Sequence, residues 1–409
     1  NAYVNQGAQA IQVGDGTIIK PRSGIRPAIE DGKRNYTNYY IFVPAETATP
    51  HAVNAANAPP FSGYFYETPS SLACVYKLVA QANGCNPNTF HTNTNTGSKA
   101  IGIVDAYDAP NVRADLTHYA TQFGLPAITT SNFVIYYCTG STASTCATGN
   151  THPAYDSGWE GETSLDVQMA HALAPKARIY LVLAKDNSNA ALYAAVDKAA
   201  ALVAGAGGGE VSMSWGHNEV SNDASTSDSH FGVNKVVYFA STGDKRAVGY
   251  PATSTKVVSV GGTSISRNAT TGAFIQEVSW ADAGAGPSAY IARPSYQPSS
   301  IGSKRGNPDV SAVANGATGV WVYISGQGGW YVFGGTSVAS PVMAAIVNSS
   351  GHFSTSTAAQ QSLMYGTLGT AADWFDVKLG YCGVYASLLP KAGYDFCTGI
   401  GSPRGTAGK

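Results

Sequence analysis

The chain is predicted to be an α/β protein built on a mostly parallel sheet, and three observations predict it. Short apolar runs lie near residues 100–105, 133–137, 178–184, 210–214, 236–241 and 257–260. Stretches with helical pattern lie between several of them, near 111–123, 159–174 and 190–204. This strand–helix–strand rhythm puts parallel strands between layers of helices. The third observation is the run Gly335-Thr336-Ser337-Val338-Ala339-Ser340-Pro341, which heads an apolar stretch from Val342 to Val347. It describes a serine at the start of a buried helix. Its glycine allows a tight turn ahead of that helix.

At 409 residues the chain has room for two or three average domains. The motifs nevertheless spread over one long unit, residues 66–409, expected to be a single large catalytic domain. Residues 1–65 carry Gly, Pro, Asn and Ala without clear periodicity, including the 50–60 stretch. They are expected to be an N-terminal extension that wraps the domain, or a remnant of a longer segment. Tyr250-Pro251 is a candidate cis-proline turn. The glycine run at 207–209 lacks the spacing of a phosphate loop, and no repeats are seen.

Charged residues make up 12% of the chain, about half the usual share. In acid most of the 25 carboxylates lose their charge while 24 Lys and Arg and 8 His stay positive. A low charge count limits the resulting self-repulsion, which suits an acid-stable protein. A formal net charge of -1 gives no sign of nucleic-acid binding, and no apolar run is long enough for a membrane span. Six cysteines allow fifteen pairings. Proximity favours Cys74 with Cys85, Cys138 with Cys146, and Cys382 with Cys397. An even count, no Cys-x-x-Cys, and loops rich in Asn, Thr and Ser point to an oxidising, extracellular setting. The polar opening at Asn1 is expected of a processed form.

A hydroxyl at a helix start can act as a nucleophile, with backbone donors close to the oxyanion it creates. Ser337 competes with a simpler role, that of an N-cap, and the following Ser340-Pro341 favours the nucleophile. None of the eight histidines sits in a His-Gly-Thr setting, so no histidine base is evident. His171 lies in an apolar helical stretch and is expected to be a packed or hydrogen-bonded core residue. Carboxylates are the alternative. Glu162 and Asp166 are four apart, so on a helix they share one face with Cβ atoms roughly 6 Å apart. An isolated Glu-x-x-x-Asp is more often a solvated acidic face. In a partly buried site the pair would share a proton, and one member would serve as a base in acid. Ser157 and Glu160 fit a capping box that opens this helix.

These motifs together resemble the sedolisins, or serine-carboxyl peptidases, over roughly residues 66–405. That resemblance implies a subtilisin-like fold in which Glu, Asp and Ser replace the usual triad. Gly161-Glu162, Leu165-Asp166 and residues 172–175 resemble the family's Glu/Asp helix, and 335–341 its nucleophile helix. Carried over, Ser337 is the nucleophile, Glu162 its base and Asp166 the partner that orients Glu162. Residues 236–244 read as a buried strand and turn, and the resemblance makes Asp244 part of the oxyanion hole. A protonated carboxyl can donate a hydrogen bond there. The family often continues Gly-Asp-Ser-Gly, whereas this chain has Lys245-Arg246, two cations expected to favour the ionised form of Asp244. Asp105 ends an apolar strand much as the triad Asp does in ordinary subtilisins. Here it and Trp215 are candidates for an outer hydrogen-bond network behind Glu162, with a solvated strand-end Asp the competing reading. Ser214, Trp215 and Gly216 look like part of an edge strand along which substrate backbones pair.

The resemblance also implies one structural calcium site. Asp376 and Asp395 would supply carboxylates, and Val377, Lys391 and Gly393 backbone carbonyls. The family usually has Gly where Lys391 stands. Residues 398–403 close the domain as the family does. The expected protein is therefore a secreted, monomeric endopeptidase acting on polypeptides and made with a cleaved prodomain. An α/β-hydrolase esterase should show Gly-x-Ser-x-Gly, which is missing. A non-catalytic peptide-binding relative is the remaining competitor, usually marked by loss of a catalytic residue.

Overall fold

The computed structural model describes residues 7–14, 16–45, 57–383 and 388–409. Parts of the predicted N-terminal extension, including most of the 50–60 stretch, lie outside the described residues, as does part of the loop between Asp376 and Asp395. The described α-helices are α1 (Pro69–Val75), α2 (Val112–Phe123), α3 (Ser157–Leu173), α4 (Asn189–Gly205), α5 (Asp223–Ser227), α6 (Thr336–Ser349) and α7 (Thr357–Gly366). The predicted alternation is present, with helix and strand ends within a few residues of those expected, except that the strand expected at 257–260 runs from 258 to 267.

The main sheet runs in the order 274–279, 258–267, 236–241, 209–213, 100–106, 178–184, 133–138, 146–147, and 310–313 also pairs with 258–267. Its interior pairings are parallel, and the strands at 274–279 and 146–147 are antiparallel. Helices cover both faces. Along 100–106, Ile101 and Ile103 join a core with Leu165 of α3 and Val338, Val342 and Ile346 of α6. Ala100, Val104 and Ala106 join another with Leu192, Val196 and Ala199 of α4. Alternate side chains leave opposite faces of a strand, so a strand covered twice reads as one apolar run instead of an alternation. The three cysteine pairs favoured by proximity are the three disulfides. Tyr250-Pro251 is cis, as is Asn307-Pro308.

Residues 1–65 have more structure than their sequence signalled. Strands 9–13, 16–20 and 40–44 join 329–334 and 320–324 in an antiparallel five-stranded sheet. Tyr36–Thr37 pairs with Trp215–Asn218. These strands are two to five residues long, too short to show a period, and the set is tied to the body through distant partners, 36–37 to 215–216 and 40–42 to 332–334.

The predicted capping box is not formed. Asp156, not Ser157, caps α3, accepting from the N–H of Gly158 and of Trp159 at 3.0 Å each. Glu160 turns away to Tyr155 Oη at 2.8 Å and Gln327 Nε2 at 3.1 Å.

Candidate active site

The site lies where α3 and α6 meet at the end of the parallel sheet. Gly335 precedes α6 with φ +103, a value that favours glycine. A Cβ there would overlap the Asn38 carbonyl oxygen and Asp244 Oδ2. Ser337 is the second residue of α6, and its side chain is fully buried. Its Oγ lies 2.8 Å from Glu162 Oε2 and 3.0 Å from the Ser214 carbonyl. Pro341 stands four residues later in the same helix and has no N–H to return to the Ser337 carbonyl. Ser214 Oγ approaches that carbonyl at 3.2 Å instead, and it also lies 2.8 Å from Asp166 Oδ1. One hydroxyl thus joins Asp166 to the Ser337 backbone. Ser340 Oγ reaches Ser212 Oγ at 2.9 Å.

Glu162 and Asp166 share one face of α3, and both are fully buried. Asp105 joins them from the end of strand 100–106 and is buried too, so it is not a solvated strand-end Asp. Burial raises all three, Asp105 to about 8. The field of Asp105 is the next largest cause for both Glu162 and Asp166. Oε1 of Glu162 and Oδ2 of Asp166 have no hydrogen-bond partner, and for Asp105 the Thr163 hydroxyl opposes the rise caused by burial. Three crowded carboxyls without a buried cation among them retain protons and titrate as a unit. Glu162 accepts from Ser337 Oγ and from the Asn38 N–H at 3.2 Å. These two donors favour it as the holder of the first negative charge.

Asp244 follows strand 236–241. Its Oδ1 accepts from the N–H and the Oγ1 of Thr336, at 2.8 Å each. Its Oδ2 is buried without a partner, so a proton on Asp244 belongs on that oxygen. Burial pushes its carboxyl up to about 6, opposed first by Lys20, then by the Thr336 bonds and Arg26. The opposing cations therefore come from the N-terminal segment and not from the predicted Lys245-Arg246 pair. Arg246 is engaged with Asp282 at 3.1 Å on the surface. Burial, with the nearby Arg26 and Lys20, lowers Lys245 to about 8.

Ser214, Trp215 and Gly216 line the site differently from expectation. The strand Trp215–Asn218 is not an edge, because Tyr36–Thr37 pairs on one side and Gly249–Tyr250 on the other. Trp215 is fully buried, and its Nε1 donates to the Val104 carbonyl at 2.7 Å. Its indole N–H is thus spent on the strand backbone and makes no bond to the Asp105 carboxyl. His171 is a core residue, bonded through Nε2 to the Pro126 carbonyl at 2.9 Å and lowered to about 4 by burial. Lys20, Arg26 and Asn38 were missed in the sequence. No motif surrounds them, and only three-dimensional pairing brings Asn38 to Ser337 and Lys20 and Arg26 near Asp244.

With this geometry in view, similarity to known proteins can be weighed. No family model matches the chain. Over 221 residues the chain is 33% identical to kumamolisin of Bacillus sp. (strain MN-32), a match covering 46% of this chain and 39% of kumamolisin. The chain thus spans about two fifths of the length of that curated relative. In fold it is similar to Pseudomonas sedolisin, a serine-carboxyl proteinase solved with two molecules of pseudo-iodotyrostatin. There the TM-score is 0.66 at 23% identity, over 83% of this chain and 95% of that one. In fold, then, the chain is similar to a sedolisin. The S41 psychrophilic protease has a TM-score of 0.51 at 18% identity, over 83% of this chain and 98% of that one.

Buried, raised carboxyls have a consequence for stability. Besides Asp105, burial raises Glu210 to about 8 and Glu277 to about 7. Carboxyls of an unfolded chain titrate near ~4, so between about pH 4 and pH 8 the folded chain holds more protons. Stability from these groups is complete below that window and is lost as pH rises through it. The urea midpoint, measured with chelator present, is expected to be higher near about pH 4 than near about pH 8. A higher midpoint at the upper pH would contradict this.

Proposed function

We propose that the chain is a secreted, acid-active serine endopeptidase that hydrolyses polypeptides through an acyl-enzyme. The observation that carries this is the 2.8 Å contact between Ser337 Oγ and Glu162 Oε2, inside a sedolisin-like fold and with no histidine in contact with Ser337 among the described residues. In this mechanism Glu162 takes the Ser337 proton as Oγ attacks the peptide carbonyl. Asp166 steadies Glu162 by sharing protons within the carboxyl group cluster. The Ser337 N–H and protonated Asp244 Oδ2 stabilise the oxyanion. Glu162 returns the proton to the leaving amine, and water then hydrolyses the ester by the same relay. Ser214 and Gly216 present backbone groups to the substrate, whereas buried Trp215 supports the strand. Three disulfides support secretion. The low charge supports activity in acid. A monomer is the proposed working form.

The chain is further proposed to hold one calcium ion near its C-terminus. Asp376 and Asp395 face each other closely enough for the field of Asp376 to help raise Asp395, which burial pushes up to about 6. Asp376 Oδ1 is buried without a partner. The N–H groups of Lys391 and Gly393 touch Asp395 Oδ2 and Asp376 Oδ2 at 3.1 and 3.2 Å, and Lys378 Nζ lies 3.3 Å from Asp376 Oδ2. Among the described residues no group of three or more His, Cys, Asp or Glu is placed to hold a metal. The ion would therefore rest on these two carboxylates and the carbonyls of Val377, Lys391 and Gly393. An oxygen set of that kind fits a hard cation, which would contribute stability and take no part in the chemistry.

Ser337→Ala is expected to lower hydrolysis of a denatured protein by about a thousandfold or more while circular dichroism and melting stay unchanged. Activity well above that level would remove Ser337 from its role. For the wild type, hydrolysis should peak in acid and decline above about pH 6 as Asp244 loses its proton. The acidic limb should belong to the Asp105, Glu162 and Asp166 cluster as a whole. A rate that climbs between about pH 6 and pH 8 would mark a histidine-like base and exclude the carboxylate relay. Chelator at near-neutral pH should lower the melting midpoint by about 2–5 °C, and Asp376→Ala should do so without chelator. Identical melting in all three samples would refute the calcium site.

A further inference from the structure

Three cations surround one cavity at the end of the main sheet opposite the active site. Strands 100–106 and 178–184 run parallel, with Ala100 beside Arg178 and Asp105 beside Leu183. At ~3.3 Å per residue, the start of strand 100–106 lies about 17 Å from Asp105. The cavity at that start measures about 370 Å³ and is lined by Lys99, Ser131, Asn132, Lys176, Arg178 and Ala206. Backbone bonds tie its walls together. The Lys176 N–H donates to the Thr96 carbonyl and the Arg178 N–H to the Lys99 carbonyl, at 3.0 Å each. The Ile179 N–H donates to the Asn132 carbonyl at 2.8 Å. The Arg178 side chain is held as well. Its Nε donates to the Ser131 carbonyl at 2.8 Å and its Nη1 to Tyr180 Oη at 3.1 Å. That fixes the guanidinium and leaves Nη2 without a partner among the described residues. Lys99 Nζ rests 3.9 Å from the centre of the Phe353 ring.

No carboxylate lines this cavity, and no ion pair among the described residues takes up any of its three cations. Glu210 feels the charge of Lys99, but it is buried, bonded to Asn348 Nδ2 at 2.8 Å and raised by burial to about 8. In acid it carries no charge to offset them. The C-terminal end of a helix attracts cations, and α4 ends here. Its last carbonyls, however, already accept from the N–H groups of Ala206, Gly207 and Gly208. Three like charges around one space repel one another, and a shared anion relieves that repulsion. We propose that the cavity is a binding site for a tetrahedral oxyanion, a phosphate or sulfate group, either free or borne on a polysaccharide. A guanidinium edge and two ammonium groups suit oxygens arranged about one centre. A carboxylate ligand would lose its charge near ~4, whereas a phosphate ester gives up only its second charge, near about 6, and keeps the first. The volume falls at the small end of ligand pockets, about 300–1,000 Å³, and leaves room for the group that carries the oxyanion. Because the cavity and the cleft lie at opposite ends of the sheet, a chain held here on an anionic polymer keeps its cleft open to protein. The proposal goes beyond the peptidase reading and does not depend on it.

The test is titration calorimetry of the full chain at about pH 4, where carboxylates are half discharged. The probes are inorganic phosphate, inorganic sulfate, dextran sulfate and carboxymethyl dextran. At least one of the first three should bind, more weakly as salt is raised. Binding of the inorganic ions by themselves assigns the site to a free oxyanion, and binding of dextran sulfate alone assigns it to a group on a polymer. The double variant Lys176→Gln/Arg178→Gln should lose about tenfold or more in affinity, with its melting midpoint unchanged. Lys33→Gln/Lys304→Gln removes the same charge elsewhere and should bind as the wild type does. Equal losses in the two double variants would reduce the effect to general charge attraction and overturn the site. So would no binding of phosphate, sulfate or dextran sulfate, or carboxymethyl dextran binding as tightly as dextran sulfate. Failure of the peptidase reading would show separately, as no hydrolysis of added denatured protein, and would leave these titrations unaffected.

Discussion

Placing three carboxyl groups in a dry space, Asp105, Glu162 and Asp166, is the constraint on which the site depends. Water would ionise each of them near ~4. Buried between the end of the 100–106 strand and one face of α3, they repel one another's charges and keep their protons. A carboxylate that is reluctant to be charged is a stronger base when it is charged. In the proposed relay this is what would let Glu162 draw on a serine hydroxyl without an imidazole. The fold meets the constraint with a sheet covered on both faces, so that the strand end and the helix face are screened together.

The sequence disclosed what is local. Strands buried on both faces showed as apolar runs, and helices α2, α3 and α4 showed within a few residues. Glu162 and Asp166 were readable because helical spacing alone puts them on one face. Ser337 was readable because a glycine and a later proline bracket it. The cap of α3 was misassigned by one residue because Asp156 and Ser157 are both capable caps, and only backbone geometry chooses between them. The N-terminal strands could not be read, since pieces of two to five residues show no period and depend on distant partners. For the same reason Lys245 and Arg246 drew attention as neighbours in sequence, while Lys20 and Arg26 are the neighbours in space.

Asp244 shows how one group can be adjusted by several weak influences. Burial favours its neutral form, and two bonds from Thr336 favour its charged form. Those two bonds fall on the same oxygen, which leaves the other oxygen buried without a partner. Geometry thereby decides which oxygen carries the proton, and the surrounding charges decide at what acidity it does so.

Pro341 has an effect beyond ending the signature of the motif. By withholding one N–H it opens a gap in the hydrogen-bond ladder of α6 at the carbonyl of Ser337, and Ser214 Oγ enters that gap while keeping Asp166 within reach. The helix that carries the serine and the helix that carries the acids are therefore wired through one hydroxyl oxygen. A proton gained or lost at Asp166 changes what that hydroxyl can offer the Ser337 peptide unit. A missing bond in the backbone thus becomes a line of communication between two elements whose other ties include apolar packing, the Ser337–Glu162 contact and, at the far end, the bond from the Ser349 hydroxyl to the Leu173 carbonyl.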